Sequence, residues 1–344
     1  MSKILEAFFL IVFVMIASVN AQSNNVIIIG NSHIEVGVLP EIGGRVVLLR
    51  KPGCNNILKS EVPSREVSKQ KPEVSAFSEF KAFNGHMVWV GPQNEWWMHQ
   101  DLNKRRKMQK AVWPPDPYLI YGAFEVVAQN DTMISMAGPE SPISGVRLCK
   151  NISIDSRGMV TFTATAENIR TENVSWDLWM NTRLHGFARC LVPVEKDGVI
   201  DLLKKDDETI QATPYTIIDG FFTYVPSLPP KPKREQVQET HLDPSRGFMA
   251  GIDEQQLLII GFDKIKQDRI HPHHGQVELY SYINDTGEET LLELELHGAY
   301  QTLEPGETMS LTETWQLESF KGIRSMEEQI GFVREILTKL SKKP

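Results

Sequence analysis

The chain has 344 residues, with 44 acidic against 36 basic side chains and a formal net charge of −8. That balance argues against a nucleic-acid surface, which needs a basic stripe or patch. Three cysteines, Cys54, Cys149 and Cys190, allow at most one bridge and show no C-x-x-C spacing, so a large apolar core must supply the stability.

The first residues read as an export signal. Lys3 is the positive start, Phe8 to Ile16 the apolar core, and Val19-Asn20-Ala21 a small-residue cleavage site before Gln22. Residues 1–21 are therefore expected to be removed, leaving a secreted or periplasmic chain. No later run approaches the ~20 apolar residues of a membrane span, so no membrane contact is expected after cleavage. Sequons begin at Asn130, Asn151, Asn173 and Asn284, all in turn-rich stretches.

From Asn25 onward the pattern is short strands between turn residues. Val26–Ile29, Ile34–Leu39 and Arg45–Leu49 come first, then Phe124–Ala128, Met133–Met136, Val146–Ile154, Val160–Ala166 and Trp176–Met180. Asp155-Ser-Arg-Gly158 reads as a hairpin turn. Gly247–Ile252, Leu257–Phe262 and Val277–Ile283 follow. Leu291–His297 alternates strictly, with Leu292, Leu294 and Leu296 on one face and Glu293, Glu295 and His297 on the other. A Glu304-Pro-Gly-Glu307 turn leads to Met309, Leu311 and Trp315, and the two runs read as a closing hairpin. Strands at this spacing predict an all-β antiparallel sandwich over 22–319. Only the tail has helical period. Ile323, Met326, Ile330, Val333, Ile336, Leu337 and Leu340 recur at three- and four-residue steps and predict an amphipathic helix over Ser325–Leu340, within 320–344, packed on the sandwich.

Two loops differ from the rest. Asp101–Lys110 is basic within an acidic chain, and Pro226–Arg234 is proline-rich and extended. The segments Phe83–Trp97 and Val112–Tyr118 are dense in aromatic side chains and loop formers. Sugar sites need that mixture: indole faces stack on the C–H faces of a pyranose while Asn, His and Glu bind its hydroxyls. Asn84, His86, Trp97 and Trp113 are the candidates there. Asp268-Arg-Ile-His271-Pro-His273-His274 could bind zinc, but no Asp or Cys partner follows at a ligand spacing, so a rim of the sugar site, with His273 in contact, is the better reading. No metal and no cofactor is expected. Arg45, Arg183 and Arg189 could pair a uronate or sulfate bidentately, although Gly-Gly-Arg between strands gives Arg45 a structural role.

Gly43-Gly44-Arg45-Val46, Asn84-Gly85-His86 leading to Trp89, Trp113-Pro-Pro-Asp116, and the Glu-Pro-Gly-Glu turn with Trp315 together resemble an exported bacterial branch of the galactose mutarotase-like (aldose 1-epimerase-like) superfamily. The resemblance covers nearly the whole chain up to the tail and implies a large β-supersandwich. It also implies acid–base ring opening, in which a carboxylate takes the anomeric proton and a protonated histidine donates to the ring oxygen. Trp179-Met-Asn-Thr-Arg-Leu-His185 resembles the setting of the acid, and Glu278 that of the base. His86 stands where the family places a second sugar-binding histidine, and Arg183 lies beside it as a further binding candidate. His185 lacks the usual following Tyr-Phe-Asn and Glu278 the usual Thr-Gln. The expected partner is a mono- or oligosaccharide, of which an anionic one is an option. The expected activity is an aldose or uronate epimerase or mutarotase. The alternatives are a carbohydrate-binding protein without catalysis and, further off, a glycosidase or polysaccharide lyase.

Overall fold

The computed structural model describes residues 26–60, 71–200, 210–227, 235–253, 255–319 and 325–341. Residues 1–21, expected to be an export signal, and most of the proline-rich loop lie outside the described residues, and no helix among those described is long and apolar enough to cross a membrane.

Strands numbered in chain order form two stacked sheets. The first sheet runs β1 (Ile27–Gly30), β2 (Glu35–Leu39), β3 (Arg45–Arg50), β4 (His86–Gly91), β9 (Val174–His185), β18 (Thr290–His297), β17 (Val277–Ile283) and β14 (Gln236–Pro244), all antiparallel. Beyond β14 lie the short parallel β11 (Ile210–Ala212) and the end of β10 (Arg189–Ile200). The second sheet runs β5 (Glu125–Asn130), β6 (Met133–Glu140), β7 (Val146–Ile154), β8 (Val160–Asn168), β20 (Thr308–Ser319), β16 (Gln256–Gly261) and β15 (Phe248–Asp253). It continues through the start of β10 to β13 (Phe221–Tyr224) and β12 (Thr216–Ile218). Strand β10 therefore belongs to both sheets and stitches one end of the sandwich together. β19 (Gln301–Leu303) pairs with the start of β9.

The β7–β8 hairpin turns at Asp155–Gly158 as its residues predict. The closing hairpin is different. β18 pairs with β17 and β9, while β20 pairs with β8 and β16, so the turn at 304–307 carries the chain from one sheet to the other. Each run has one face that is apolar apart from Glu313 on β20, and these faces bury better against each other across the core than side by side in one sheet. The core itself is the layer between the sheets, with Leu292, Leu294, Leu296, Met309, Leu311 and Trp315 all in it.

The tail helix (Met326–Ser341) starts at a capping box, in which Glu328 N–H donates to Ser325 Oγ and Ser325 N–H to Glu328 Oε2. Ile330, Val333 and Ile336 pack on Leu191, Phe221, Phe248 and Ile259, the outer face of the second sheet. None of the three cysteines is bridged.

Several charged groups are enclosed between the sheets. Arg45 donates to the carbonyls of Asn84 (2.8 Å) and Ile120 (3.1 Å), and Lys150 Nζ to that of Gly43 (2.6 Å). The Arg45 pattern is the structural role expected of Gly-Gly-Arg. Desolvation lowers Lys150 to about 7, with Arg45 adding to the effect. Glu313, fully buried on β20, accepts from Trp315 Nε1 at 2.8 Å, yet burial still pushes its carboxyl up to about 8.

A carboxyl raised in this way stabilises the fold at low pH and loses that contribution as pH rises from its ordinary 4.5 through about 8. Glu313→Gln keeps the acceptor for Trp315 and removes the titration. Calorimetric melting of the two proteins from pH 5 to pH 8 is expected to show a steeper fall in Tm for wild type, by on the order of 5 °C; parallel curves would contradict the assignment.

Candidate functional site

The first sheet has an apolar face toward the core and a polar face away from it. Register sets residues on that second face into rows. His241, Glu278, Glu295 and Asn181 are successive cross-strand partners over β14, β17, β18 and β9. One step along the strands the row is Glu239, Tyr280, Glu293 and Arg183. One step the other way, His297 pairs with Trp179, which pairs with Trp89 on β4. Cross-strand partners sit ~5 Å apart, so each row is a continuous polar or aromatic ladder.

These ladders floor a hollow of about 720 Å³, within the usual range for small-ligand sites. Phe80, Ala82, Gln93 and Trp113 wall one side, and Tyr282, Glu288 and Glu289 the other. Trp113 is 45% exposed and its ring leans on Phe80 at 4.6 Å between centroids. The indole N–H groups of Trp89 and Trp179 are buried with no hydrogen-bond partner among the described residues.

Asn181 Nδ2 donates to Glu293 Oε2 at 2.7 Å and to Glu295 Oε1. Arg183 Nη2 pairs with Glu293 Oε1 at 2.7 Å, and its Nη1 donates to Asn84 Oδ1 at 3.1 Å. Asn84 sits in the left-handed region (φ 53°), followed by Gly85 (φ 77°), where an added Cβ would lie 2.2 Å from the Val46 carbonyl oxygen. The Asn-Gly step thus lets Asn84 aim at Arg183 while its own carbonyl is held by Arg45.

Glu278 stands at the centre of the floor. His274 Nδ1 lies 2.7 Å from its Oε1, Gly275 N–H donates to the same oxygen at 3.3 Å, and His241 Nδ1 is 2.7 Å away. Glu278 Oε2 faces His297 Nε2 at 3.3 Å, and His297 Nδ1 faces Asp177 Oδ1 at 3.3 Å. His241 Nε2 is anchored on Glu239 Oε1 at 2.9 Å. Burial alone would raise Glu278, but His274, His297 and His241 together hold it well below the usual carboxylate range. Burial alone would depress the imidazoles, but Glu278 and Glu239 push His241 up to about 10, and Glu278 and Asp177 push His297 up to about 9. Glu295, buried beside Glu293, is raised well above the carboxylate range, first by burial and then by that neighbour.

Not every polar atom in this cluster is satisfied. His241 Nδ1, His274 Nε2, His297 Nε2 and Asp177 Oδ2 are buried and lack an aligned hydrogen-bond partner among the described residues. Each such atom costs about 1–3 kcal/mol. Two overlapping trios, Asp177–His274–His297 and His241–His274–Glu278, have ligand atoms within 4.8 Å of one another.

Of the residues expected from sequence, Glu278, Asn84, Arg183 and Trp113 line the hollow. Four others do not. His185 lies on the same face as Arg183 but one step further out, at the exposed end of β9. His86 points into the core because the β4 register turns it inward; it packs edge-on against Phe162 and Trp315 and meets Thr182 Oγ1 at 3.0 Å. Burial, with Lys150 and Arg45, holds its imidazole well below 6.5, unsuited to donating a proton. Trp97 is wholly buried, with Arg106 over its ring and its N–H on the Pro114 carbonyl, so it braces the loops and offers no sugar platform. His273 is exposed beside His271, outside the lining of the hollow. Arg106, from the basic loop, is spent on the carbonyls of Ala76 and Ser78.

The sequence did not single out His241, Glu239, His297, Asp177 and Trp179 as site residues, and His274 entered only as part of the polar rim cluster. The alternation Leu-Glu-Leu-Glu-Leu-His on β18 was the available signal for His297, Glu293 and Glu295. Gly85→Ala is expected to cost ~3 kcal/mol or more, since strain and a backbone clash act together, and a denaturant titration would read this as a lowered midpoint at unchanged slope.

The chain belongs to the family described as Domain of unknown function (DUF4380), whose model matches residues 25–318. No curated protein matches. Among solved structures, it is similar to a galactose mutarotase-like protein from Lactobacillus casei (10% identity, 86% of this chain and 100% of that one, TM-score 0.53). A galactose mutarotase-like protein from Clostridium acetobutylicum (11% identity, 85% and 95% covered, TM-score 0.51) and a galactose mutarotase related enzyme from Lactobacillus acidophilus (7% identity, 87% and 99% covered, TM-score 0.51) are also similar. The chain has the galactose mutarotase-like fold, as the sequence resemblance implies.

Proposed function

We propose that this DUF4380 member is a carbohydrate-active protein, working after export, that binds a neutral or amino sugar of one or two rings in the hollow over β14, β17, β18 and β9. The observation that carries this reading is the hollow itself: sugar-sized, floored by ladders of carboxylates and walled by aromatic rings. Trp113 and Tyr280 offer faces to pyranose C–H groups. Glu239, Glu293 and Glu295 accept from hydroxyls, and the unpartnered N–H groups of Trp89 and Trp179 supply donors.

Charge argues against a uronate. Six glutamates line the hollow against Lys59 and Arg183, and Arg183 is already paired with Glu293. An anionic sugar would enter a negative field, whereas an ammonium or a neutral hydroxyl array would not.

In the epimerase or mutarotase form of this reading, Glu278 takes the proton of the anomeric hydroxyl. A binding-only form is favoured by two placements: both oxygens of Glu278 already face imidazoles, and His185, the expected acid, stands outside the hollow.

Titration calorimetry with neutral, amino and acidic hexoses is expected to give heat for the first two and at least tenfold weaker binding for uronates. Trp113→Ala should weaken binding by about tenfold, the worth of one aromatic contact. No heat with any glycan would reject the proposal. Anomer exchange followed by NMR separates the two forms, since only an enzyme accelerates it beyond buffer and loses that acceleration in Glu278→Gln.

A further inference from the structure

We propose that His241, His274 and Glu278 bind one divalent transition-metal ion, of the zinc class, on the floor of the hollow. The site stands on its own residues; only its use, as a Lewis acid toward sugar oxygens, rests on the carbohydrate reading.

Geometry is the first argument. His241 Nδ1 and His274 Nδ1 each lie 2.7 Å from the same oxygen, Glu278 Oε1. Two ring nitrogens and one carboxylate oxygen converge closely enough to be shared by a single ion. At 2.7 Å the His241 contact is an ion pair that lacks hydrogen-bond alignment. Two imidazoles and one carboxylate form a ligand set used by zinc and by other first-row divalent ions.

The surroundings supply the second argument. Metal-binding imidazoles are held by a carboxylate on their other nitrogen. His241 has that partner: Glu239 Oε1 sits 2.9 Å from Nε2. Behind Glu278, His297 Nε2 faces Oε2 at 3.3 Å and is backed by Asp177, so the ligand carboxylate is itself positioned. Gly91 opposite leaves room for that support, because a Cβ there would fall 2.5 Å from Asp177 Oδ1. His241 and Glu278 are direct cross-strand partners, and His274 is fixed three residues before β17 by its N–H on the His271 carbonyl. Rigid strands therefore set two ligands and a turn sets the third.

The third argument is the open side. Glu278 and Glu239 line the hollow, so an ion held here would present its remaining coordination positions to whatever occupies it.

The test uses the full chain, stripped with a chelator and then titrated with Co²⁺ and Zn²⁺. One equivalent of Co²⁺ should bind with the visible d–d absorption of a nitrogen- and oxygen-ligated ion, and Zn²⁺ should displace it and raise Tm. His241→Ala and Glu278→Gln should each lower affinity by at least ~100-fold, and Glu239→Gln, which removes the charge behind His241 but keeps an oxygen that can accept from Nε2, by about tenfold. The last variant, on a partly exposed residue, keeps the test decisive if the buried ones fail to fold. No uptake by stripped wild type, or uptake unchanged in Glu239→Gln and in whichever buried variant folds, overturns the site. So does a Co²⁺ spectrum with thiolate charge-transfer bands, which would place the ion at a cysteine. Sugar calorimetry on stripped and loaded protein separates the two proposals. Sugar heat without ion uptake overturns the ion site alone, and ion uptake without sugar heat supports it while rejecting the carbohydrate reading.

Discussion

The arrangement of the hollow depends on one buried carboxylate. Glu278 is almost wholly removed from water, and an ionised carboxylate in that position is tolerated only if it is surrounded by groups that return what hydration gave it. Three imidazoles and a backbone N–H do so here. Their own placement then propagates outward: His241 needs Glu239, His297 needs Asp177, and Asp177 needs a glycine across the ladder. Deleting one member of such a cage leaves the others uncompensated, so the group behaves as a unit.

The sheet makes this unit possible. Strands β9, β17 and β18 are buried on both faces, one against the apolar core and one beneath the loops that wall the hollow. Two-sided burial is unusual for antiparallel strands with polar alternation, whose polar face is ordinarily wet. Here the polar face is enclosed, which raises the energetic stake of every carboxylate on it. It also explains why the Glu295 carboxyl is raised beside Glu293 while that of Glu278 is lowered. Burial acts on both, and only Glu278 has cations as neighbours.

A separate set of enclosed charges ties the hollow to the core. Arg45 reaches through the first sheet to hold the Asn84 carbonyl, and Asn84 holds Arg183 from above. The left-handed Asn84-Gly85 step is the hinge of that chain of contacts, which is why Gly85 has no room for a side chain. Similarity to solved galactose mutarotase-like structures stops at the fold; the histidine cage around Glu278 and the carboxylate-rich floor are read from this chain's own residues.

Much of the architecture was legible locally. Period-two alternation marked Val146–Ile154 and Val277–Ile283 at their observed bounds, the Asp155–Gly158 turn marked the hairpin from Val146–Ile154 into β8, and three- and four-residue spacing marked the tail helix. Strands β4, β10 and β14 were not marked, because β4 looks like an aromatic loop, β10 carries a proline, and Gln-Val-Gln-Glu-Thr-His is polar throughout. Those strands carry Trp89, Glu239 and His241, so half the site vanished with them. Of the candidates picked by residue type and neighbours, Asn84, Arg183, Trp113 and Glu278 line the hollow, while His86, His185, Trp97 and His273 lie outside its lining. Alternation tells which residues share a face; it does not tell whether that face meets water, core or a hollow. By itself the sequence determined strands, turns and one amphipathic helix, since these follow from spacing a few residues long. Which strands pair, that β18 and β20 part into different sheets, and that three histidines from distant segments enclose one glutamate were decided only in three dimensions, because burial and charge compensation are summed over neighbours that chain order does not record.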